Sequence, residues 1–226
     1  MRLVSLVPSL TEAVFGTGLL VGATDWCTHP ADLDVRRVGG TKNPDLDTIA
    51  ALRPDLVLAN EEENRSADIE ALREAGIEVD VTYVRTLAQG LSELRRVLSR
   101  LGGVPAWLWE AEEVWASPYE GPRRVAVIPV WRRPWIAVGS DTFAGDLMSR
   151  LGIDNVLAQS AERYPRFSVV DVVCDVVVLP DEPYAFSAFD GPEAFPVPSV
   201  LVSGRHLTWY GPSLVEARSV LMEQLW

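Results

Sequence analysis

Residues 38–64, "VGGTKNPDLDTIAALRPDLVLANEEEN", contain a complete helix–strand unit and the polar segment that follows it. Asp45 is a typical helix-opening residue, and the apolar residues that follow it share one helical face: Leu46, Ile49 and Leu52. Pro54 ends this helix, and the continuous apolar run 56–59 indicates a buried strand. Because the strand leads directly into two amides and three carboxylates, this stretch predicts an α/β fold with a polar loop at a strand end.

The same alternation continues towards the amino terminus and beyond residue 64. Further buried strands are predicted over 2–7, 19–24 and 77–84. The helix after the first strand is predicted to be capped by Ser9, with Glu12 completing a capping box. Strands that alternate with helices through short connections favour a parallel sheet covered by helices.

The second half of the chain repeats this pattern after a helical segment. Two helices are predicted within 86–117, and later strands are expected over 125–130, 134–139, 175–179 and 197–203, before a closing helix over 213–226. The predicted fold is therefore α/β, with two lobes of mainly parallel sheets joined by a helical connector. The predicted boundaries are 1–85 for the N-terminal lobe, 86–117 for the connector and 118–226 for the C-terminal lobe.

Composition excludes several functional classes. The net charge of −12 argues against binding nucleic acid or an anionic membrane surface, because phosphates require lysine and arginine. No apolar run approaches the length of a membrane span, so membrane insertion is not expected. The two cysteines are too few for a disulfide scaffold.

The sequence also lacks signals of targeting and catalysis. Met1 leads directly into a short apolar run with no small-residue cleavage site, so a cytoplasmic location is expected from the sequence as it stands. A periplasmic or cell-surface location is expected instead if the true N-terminus lies upstream. No phosphate-loop frame and no serine elbow occur, so no catalytic residue is predicted.

Several segments together resemble a known family: "SLVPSLTE", "VGATDWCTHP", the stretch 38–64, "RYPRFS" and "HLTWYG". The chain resembles the class III periplasmic-binding-protein family, also called helical-backbone metal receptors, and in particular its vitamin B12-binding branch. The resemblance implies two lobes with a ligand in the cleft between them and no required cofactor. It implies cobalamin or another corrinoid, haem or a ferric siderophore as ligand, and an ABC permease as partner.

In the first lobe, the resemblance assigns ligand contacts to Asn60, Glu63 and Asn64. Glu61 and Glu62 are better explained as solvated residues at a helix N-terminus, where carboxylates are favoured. Trp26 and His29 are predicted to pack against a planar ligand. Cys27 and His29 are weak candidates for metal ligation, since two ligands do not make a site and a free cysteine is often simply buried.

In the second lobe, aromatic side chains dominate the candidate contacts. Trp131 and Trp135 surround Arg132 and Arg133, which could pair with ligand carboxylates or phosphate. Tyr164 is the residue most strongly indicated by the resemblance, and the remaining candidates are Phe167, His206 and Trp209. Flat aromatic walls suit a corrin, a porphyrin or a catecholate.

Two alternatives to a ligand-binding protein remain open. The first is a cytosolic metal- or corrinoid-handling enzyme on the same fold, in which the carboxylates 61–63, Cys27 and His29 would be functional. The second is an interaction module whose cleft is filled by its own side chains.

Overall fold

The computed structural model describes all 226 residues and divides them into two compact units. Unit 1 contains Met1–Val84, Gln89–Leu108 and the short segment Tyr210–Pro212. Unit 2 contains Arg85–Ala88, Trp109–Trp209 and Ser213–Trp226. Each unit has its own sheet and its own buried apolar cluster.

Unit 1 is built on a five-stranded, entirely parallel sheet. Its strands are β1 (Leu3–Ser5), β2 (Leu20–Ala23), β3 (Arg36–Arg37), β4 (Leu56–Asn60) and β5 (Val79–Thr82). The order is β3-β2-β1-β4-β5, so the chain adds strands first on one side of β1 and then on the other. In parallel sheets this reversal creates a crevice at the carboxyl ends of the strands, where ligands usually bind.

Four helices accompany this sheet: α1 (Pro8–Val14), α2 (Leu46–Ala51), α3 (Ser66–Glu74) and α4 (Leu87–Arg100). The prediction that Asp45 caps α2 is confirmed, because its carboxylate accepts a hydrogen bond from the Thr48 backbone N–H at 2.9 Å. Ile49 of α2 and Leu72 of α3 pack with Val4 and Val57 of the sheet in one buried cluster.

The predicted cap of α1 is wrong. The helix begins at Pro8, Val7 occupies the N-cap position, and no side chain caps the helix. Proline suits the first helical turn because its missing N–H would have no partner there and its backbone angle is already helical. Ser9 consequently lies inside the helix and is buried.

Helix α4 is fixed to β5 by ion pairs. The Arg96 guanidinium binds both carboxylate oxygens of Asp80, at 2.7 and 2.8 Å, and Arg100 pairs with Glu78 at 2.7 Å. Gly102 and Gly103 end this helical segment with positive φ angles of 119° and 142°, which favour glycine. The next helix, α5, spans Ala106–Ala116, and the division between the units falls within it.

Unit 2 contains a four-stranded parallel sheet and a small antiparallel pair. The strands are β6 (Arg124–Val127), β7 (Pro129–Trp131), β8 (Ile136–Ala137), β9 (Ile153–Asn155), β10 (Val176–Pro180) and β11 (Ser199–Val202). The parallel order is β11-β10-β6-β9, and β7 pairs with β8. Sequence patterning missed the short strands β3 and β9.

Helices α6 (Phe143–Ser149), α7 (Gly204–Thr208) and α8 (Leu214–Leu225) complete unit 2. The C-terminal part of α5 packs here: the indole N–H of Trp115 donates to the Leu214 carbonyl at 2.9 Å. Arg218 of α8 donates to the carbonyls of Val114 and Ser117. The chain contains no helix whose length and apolar character would allow it to cross a membrane.

Candidate functional site

The carboxyl ends of the parallel strands in unit 1 gather the polar and aromatic segments that the sequence had suggested. Residues 24–33 follow β2, residues 61–65 follow β4, and Tyr83 follows β5. The amino terminus of α1 follows β1 at the same edge of the sheet. These segments form the candidate binding edge of unit 1.

Asn60 and Asn64 build the framework of this edge. The Asn60 side-chain oxygen accepts hydrogen bonds from the backbone N–H groups of Glu62 and Glu63, at 2.8 and 3.3 Å. Its amide nitrogen donates to the carbonyl and the hydroxyl of Thr82, both at 3.2 Å. The side chain is buried, so any part it plays in binding is to hold the loop in shape.

Asn64 connects three loops. Its side-chain oxygen accepts from the Asn60 N–H at 2.8 Å, and its amide nitrogen donates to the carbonyls of Leu6 and Thr41, at 3.3 and 3.0 Å. The segments after β1, β3 and β4 are therefore tied together by one buried side chain. The amide is fully engaged with protein atoms, which makes Asn64 a framework residue as well.

Glu63 lies near two buried ionisable groups. Its negative charge helps to raise the pKa of the Cys27 thiol and of the Tyr210 phenol, although burial is the larger cause for both. Tyr210 reaches this edge from the segment 210–212, and its hydroxyl lies 3.2 Å from the Thr82 hydroxyl. Both groups therefore remain neutral at physiological pH.

Cys27 is a core residue. It is fully buried, and its sulfur lies 3.0 Å from the Thr11 hydroxyl and 3.2 Å from the Thr24 hydroxyl. Its apolar neighbours are Ala23 and Leu33. A buried thiol with a raised pKa is a poor metal ligand because the thiolate is the binding form. No group of three or more histidine, cysteine, aspartate or glutamate side chains in the structure could hold a metal ion.

Aromatic side chains are exposed on both sides of the Asn60–Asn64 loop. Trp26 is 66% exposed and lies against the loop after β3, where a β-carbon on Gly40 would be 3.5 Å from the indole nitrogen. Tyr83 is 58% exposed directly after β5. Sequence analysis placed Tyr83 inside a strand, but β5 ends at Thr82 and leaves Tyr83 at the edge. His29 is half-buried, with its Nδ1 3.2 Å from the Thr28 hydroxyl.

In unit 2, Trp131 lies at the end of β7 and is 45% exposed. Its ring packs edge-on against Tyr184, with centroids 5.6 Å apart and an interplanar angle of 80°. Tyr164 is 40% exposed. The residue after it, Pro165, lies beside β8, because its carbonyl accepts a hydrogen bond from the Ala137 N–H. Both rings therefore keep accessible surface.

Arg132 does not present a free charge. Its guanidinium forms ion pairs with Asp190 and Glu193, and the hydrogen bond from Arg132 holds the pKa of Glu193 below its usual value. It also lies 5.3 Å from the ring centroid of Trp135. The expectation that Arg132 would be available for a ligand anion is therefore not supported, because two carboxylates already neutralise it.

Trp135 and Phe167 belong to an aromatic cluster within unit 2. Trp135 stacks on Phe186 with centroids 5.9 Å apart and packs edge-on against Phe195 at 5.1 Å. Phe167 lies 6.0 Å from Trp135. The sequence predicts ligand contacts for both Trp131 and Trp135, but the structure gives them different surroundings: Trp131 is exposed and Trp135 packs in the cluster.

His206 and Trp209 are held by local hydrogen bonds. The His206 nitrogens lie 2.7 Å from the Ser203 hydroxyl and 3.0 Å from the Glu216 carboxylate. Trp209 is buried, and its N–H donates to Glu182 at 3.3 Å. These two residues support the carboxyl end of β11 and the helix after it, and their exposed surface is small.

Comparison with known proteins agrees with this architecture. A family model described as "Periplasmic binding protein" matches residues 4–169. A vitamin B12-binding protein of Vibrio parahaemolyticus serotype O3:K6 is 26% identical over 184 residues, covering 76% of this chain and 66% of that relative, just under two thirds of its length.

Solved structures show the same fold. The periplasmic vitamin B12 binding protein of Vibrio cholerae superposes with a TM-score of 0.79 at 20% identity, covering 99% of this chain and 96% of that one. The apo periplasmic haem-binding protein of Roseiflexus sp. RS-1 superposes with a TM-score of 0.82 at 20% identity, covering 99% and 97%. The predicted class III binding-protein fold is thus confirmed. Because the family model covers most of the chain, this protein belongs to the periplasmic binding protein family.

Proposed function

We propose that this protein is a solute-binding protein for a metal chelate and serves ABC-type uptake. The chelate is cobalamin or another corrinoid, haem, or a ferric siderophore. The observation that supports this most directly is the exposure of large aromatic rings in both units: Trp26 and Tyr83 after strands of unit 1, and Trp131 and Tyr164 in unit 2. Relatives named for vitamin B12 and haem binding share the fold.

The chemistry of these side chains suits a broad, flat ligand. Aromatic faces bury a large apolar area and favour stacked or edge-on contact with a planar ring system. We assign direct contact to the candidates with accessible side-chain surface, which are Trp26, His29, Glu63, Trp131 and Tyr164. We assign a supporting role to Asn60, Asn64, Arg132, Trp135, Phe167, His206 and Trp209.

Binding and release of the ligand by such a protein involve no chemical step. A carrier must release its ligand unchanged, so its binding groups need shape and hydrogen-bonding capacity but no activated nucleophile. Recovery of a chemically altered corrinoid or haem after incubation with the pure protein would favour the alternative of a metal- or corrinoid-handling enzyme.

Titration of the purified protein with four probes tests the proposal. Cyanocobalamin, dicyanocobinamide, haemin and a ferric catecholate siderophore are added separately, and binding is followed by isothermal titration calorimetry. Saturable binding of one probe at micromolar or tighter affinity is expected, on the order of −8 kcal/mol or better. Absence of binding to all four by the folded protein would overturn the proposal.

Substitution of the exposed rings locates the binding surface. Trp26→Ala with Tyr83→Ala tests unit 1, and Trp131→Ala with Tyr164→Ala tests unit 2. Each pair should weaken binding at least about tenfold, equivalent to about 1.4 kcal/mol. Phe15→Ala is the matched control, because Phe15 is exposed in unit 1 but precedes β2 at the opposite edge of the sheet. A pair that behaves like this control does not contribute to the site.

The proposed location is periplasmic or at the cell surface, in keeping with the family and with delivery to a membrane importer. Fractionation of cells that express the native gene, with detection of this protein in each fraction, tests this. Recovery only from the cytoplasm would favour the cytoplasmic alternative and would separate the protein from ABC-type uptake.

A further inference from the structure

The connection between β10 and β11 in unit 2 is unusual for parallel strands. Such strands are normally joined by a crossover helix, but residues 181–198 contain only a 3-10 turn at Pro192–Ala194. Aromatic side chains perform the packing instead: Phe186 and Phe195 of this connection pack against Trp135. The connection is thus an ordered loop with its own apolar contacts.

Arg132 fastens this loop to the β7–β8 turn. Its guanidinium binds Asp190 and Glu193 together, and it is mostly buried. Tyr184 adds a second fastening, since its hydroxyl donates to the other oxygen of Asp190 at 2.6 Å. Glu193 also accepts a hydrogen bond from the Gly191 N–H at 2.7 Å. Arg132 therefore links two parts of the loop at once.

The middle of this loop forms a tight turn, and the turn carries Phe189. The backbones of Ser187 and Asp190 exchange two hydrogen bonds, at 3.1 and 3.3 Å, and the Phe189 N–H donates to the Ser187 hydroxyl. Gly191 follows with a φ of 132°, and a β-carbon there would lie 2.8 Å from the Phe186 ring. This geometry fixes the turn and leaves Phe189 95% exposed.

Exposed single apolar residues are common and need no explanation in general. Phe189 differs because it lies in a turn closed by the backbone hydrogen bonds between Ser187 and Asp190, and Arg132 and Tyr184 both bind the Asp190 carboxylate of that turn. The ring of Tyr184 also packs edge-on against Trp131, which is 45% exposed. Trp131 and Phe189 are thus two exposed aromatic side chains, and Tyr184 contacts Trp131 with its ring and Asp190, next to Phe189, with its hydroxyl.

We propose that Phe189 contacts the ligand and that Arg132 is a positioning residue that holds Phe189 in place. The ligand class that fits is a macrocyclic metal chelate, either a corrin or a porphyrin, because the exposed side chains of Trp131 and Phe189 are aromatic and the Arg132 guanidinium is already paired with two carboxylates. A strongly anionic ferric catecholate would find no free cation at Arg132. This inference rests on the proposed function and narrows its ligand class.

Calorimetric titration of four variants with cyanocobalamin and haemin tests the inference. Phe189→Ala should weaken binding of the macrocycle about tenfold and leave the urea midpoint unchanged, because the side chain is exposed. Arg132→Gln should weaken binding by a similar factor. The double variant should be no weaker than either single variant, since both changes remove the same contact. Val173→Ala, also strongly exposed in unit 2 but preceding β10, is the control.

Tyr184→Phe provides a second route if Arg132→Gln does not fold. It removes one hydrogen bond to Asp190 and keeps the ring that packs on Trp131, and a smaller loss of affinity is expected. Unchanged affinity in Phe189→Ala would overturn the contact, and additive losses in the double variant would overturn the positioning role. Wild-type binding of the siderophore alone would overturn the macrocycle class while leaving the proposed function intact. Failure of the wild-type protein to bind any probe would overturn both.

Discussion

At the scale of single residues, Glu182 is a carboxylate in an unfavourable environment. Burial raises its pKa above the ordinary value of 4.5, and the neighbouring charge of Asp181 adds to this, whereas the hydrogen bond from Trp209 opposes it. The backbone and side chain of Glu182 also lie against Gly204, where a β-carbon would be 2.7 Å from the Glu182 nitrogen. The residue is therefore held tightly at the carboxyl end of β10.

We expect Glu182→Gln to stabilise the protein at pH 7. A carboxyl group whose pKa is raised on folding disfavours the folded state at any pH above both its unfolded and folded pKa values. This penalty is absent below the unfolded value, where both states are protonated. The glutamine oxygen can still accept the Trp209 hydrogen bond. Urea unfolding at pH 7 should show a higher midpoint for the variant, and the difference should shrink towards pH 4.

Glu120→Gln is the matched control for this measurement, since Glu120 is an exposed glutamate in the same unit. It should leave the urea midpoint close to the wild-type value at both pH values. A lower midpoint for Glu182→Gln at pH 7 would show that the carboxylate is stabilised by its hydrogen bond more than it is penalised by burial.

At the scale of elements, Asn64 is the side chain that joins the strand ends of unit 1. Asn64→Ala would leave the Asn60 N–H and the carbonyls of Leu6 and Thr41 without their partner. Buried groups that lose a partner cost about 1–3 kcal/mol. We therefore expect Asn64→Ala to lower the free energy of unfolding by about 2–3 kcal/mol, measured by urea denaturation.

Glu70→Ala serves as the control for Asn64→Ala, because Glu70 is exposed on α3, the helix that follows this loop. Its effect should stay within about 0.5 kcal/mol. Equal effects of the two substitutions would mean that the hydrogen bonds of Asn64 do not hold the loops together.

The elements that could be predicted from the sequence are those with a strong local pattern. Asp45, the apolar face of α2 and the run 56–59 identify a helix and strand that the structure confirms. Strand β3 was missed because it consists of two exposed arginines, and its formation depends on pairing with β2. The cap of α1 was misplaced because serine and proline both favour helix starts, and proline occupies the first turn here. The assignment of 86–117 as a separate connector stays a prediction.

The candidate site could be predicted only in outline. The segments that carry Trp26 and the Asn60–Asn64 loop follow strands, and the strand order of unit 1 places both segments at one edge of its sheet. Their role as ligand contacts, like that of Trp131, stays a prediction. Sequence patterns do not show which polar groups are already bound within the protein. The sequence therefore predicts ligand contacts for Asn60, Asn64 and Arg132, although their side chains bind protein groups that are distant in sequence. No sequence pattern indicated Phe189, because the contact between Arg132 and Asp190 that holds its turn joins residues distant in sequence.

At the scale of the whole molecule, the proposed ligand should stabilise the folded chain. A ligand that binds only the folded state adds RT ln(1 + [L]/Kd), about 2.7 kcal/mol when its concentration is 100 times Kd. The macrocycle that binds in calorimetry, cyanocobalamin or haemin, is added at that concentration during urea unfolding. The urea midpoint should rise, and it should rise further with more ligand.

The double variant Trp131→Ala/Tyr164→Ala separates specific stabilisation from general effects of the probe. Because both side chains are partly buried, the variant's own midpoint without ligand is the reference for its stabilisation. If the substitutions weaken binding about tenfold, the stabilisation at the same probe concentration should fall by about 1.4 kcal/mol. An equal rise in the wild-type and variant midpoints would show that the probe acts without using the exposed rings of unit 2. A smaller rise in the variant links binding at those rings to the stability of the whole chain.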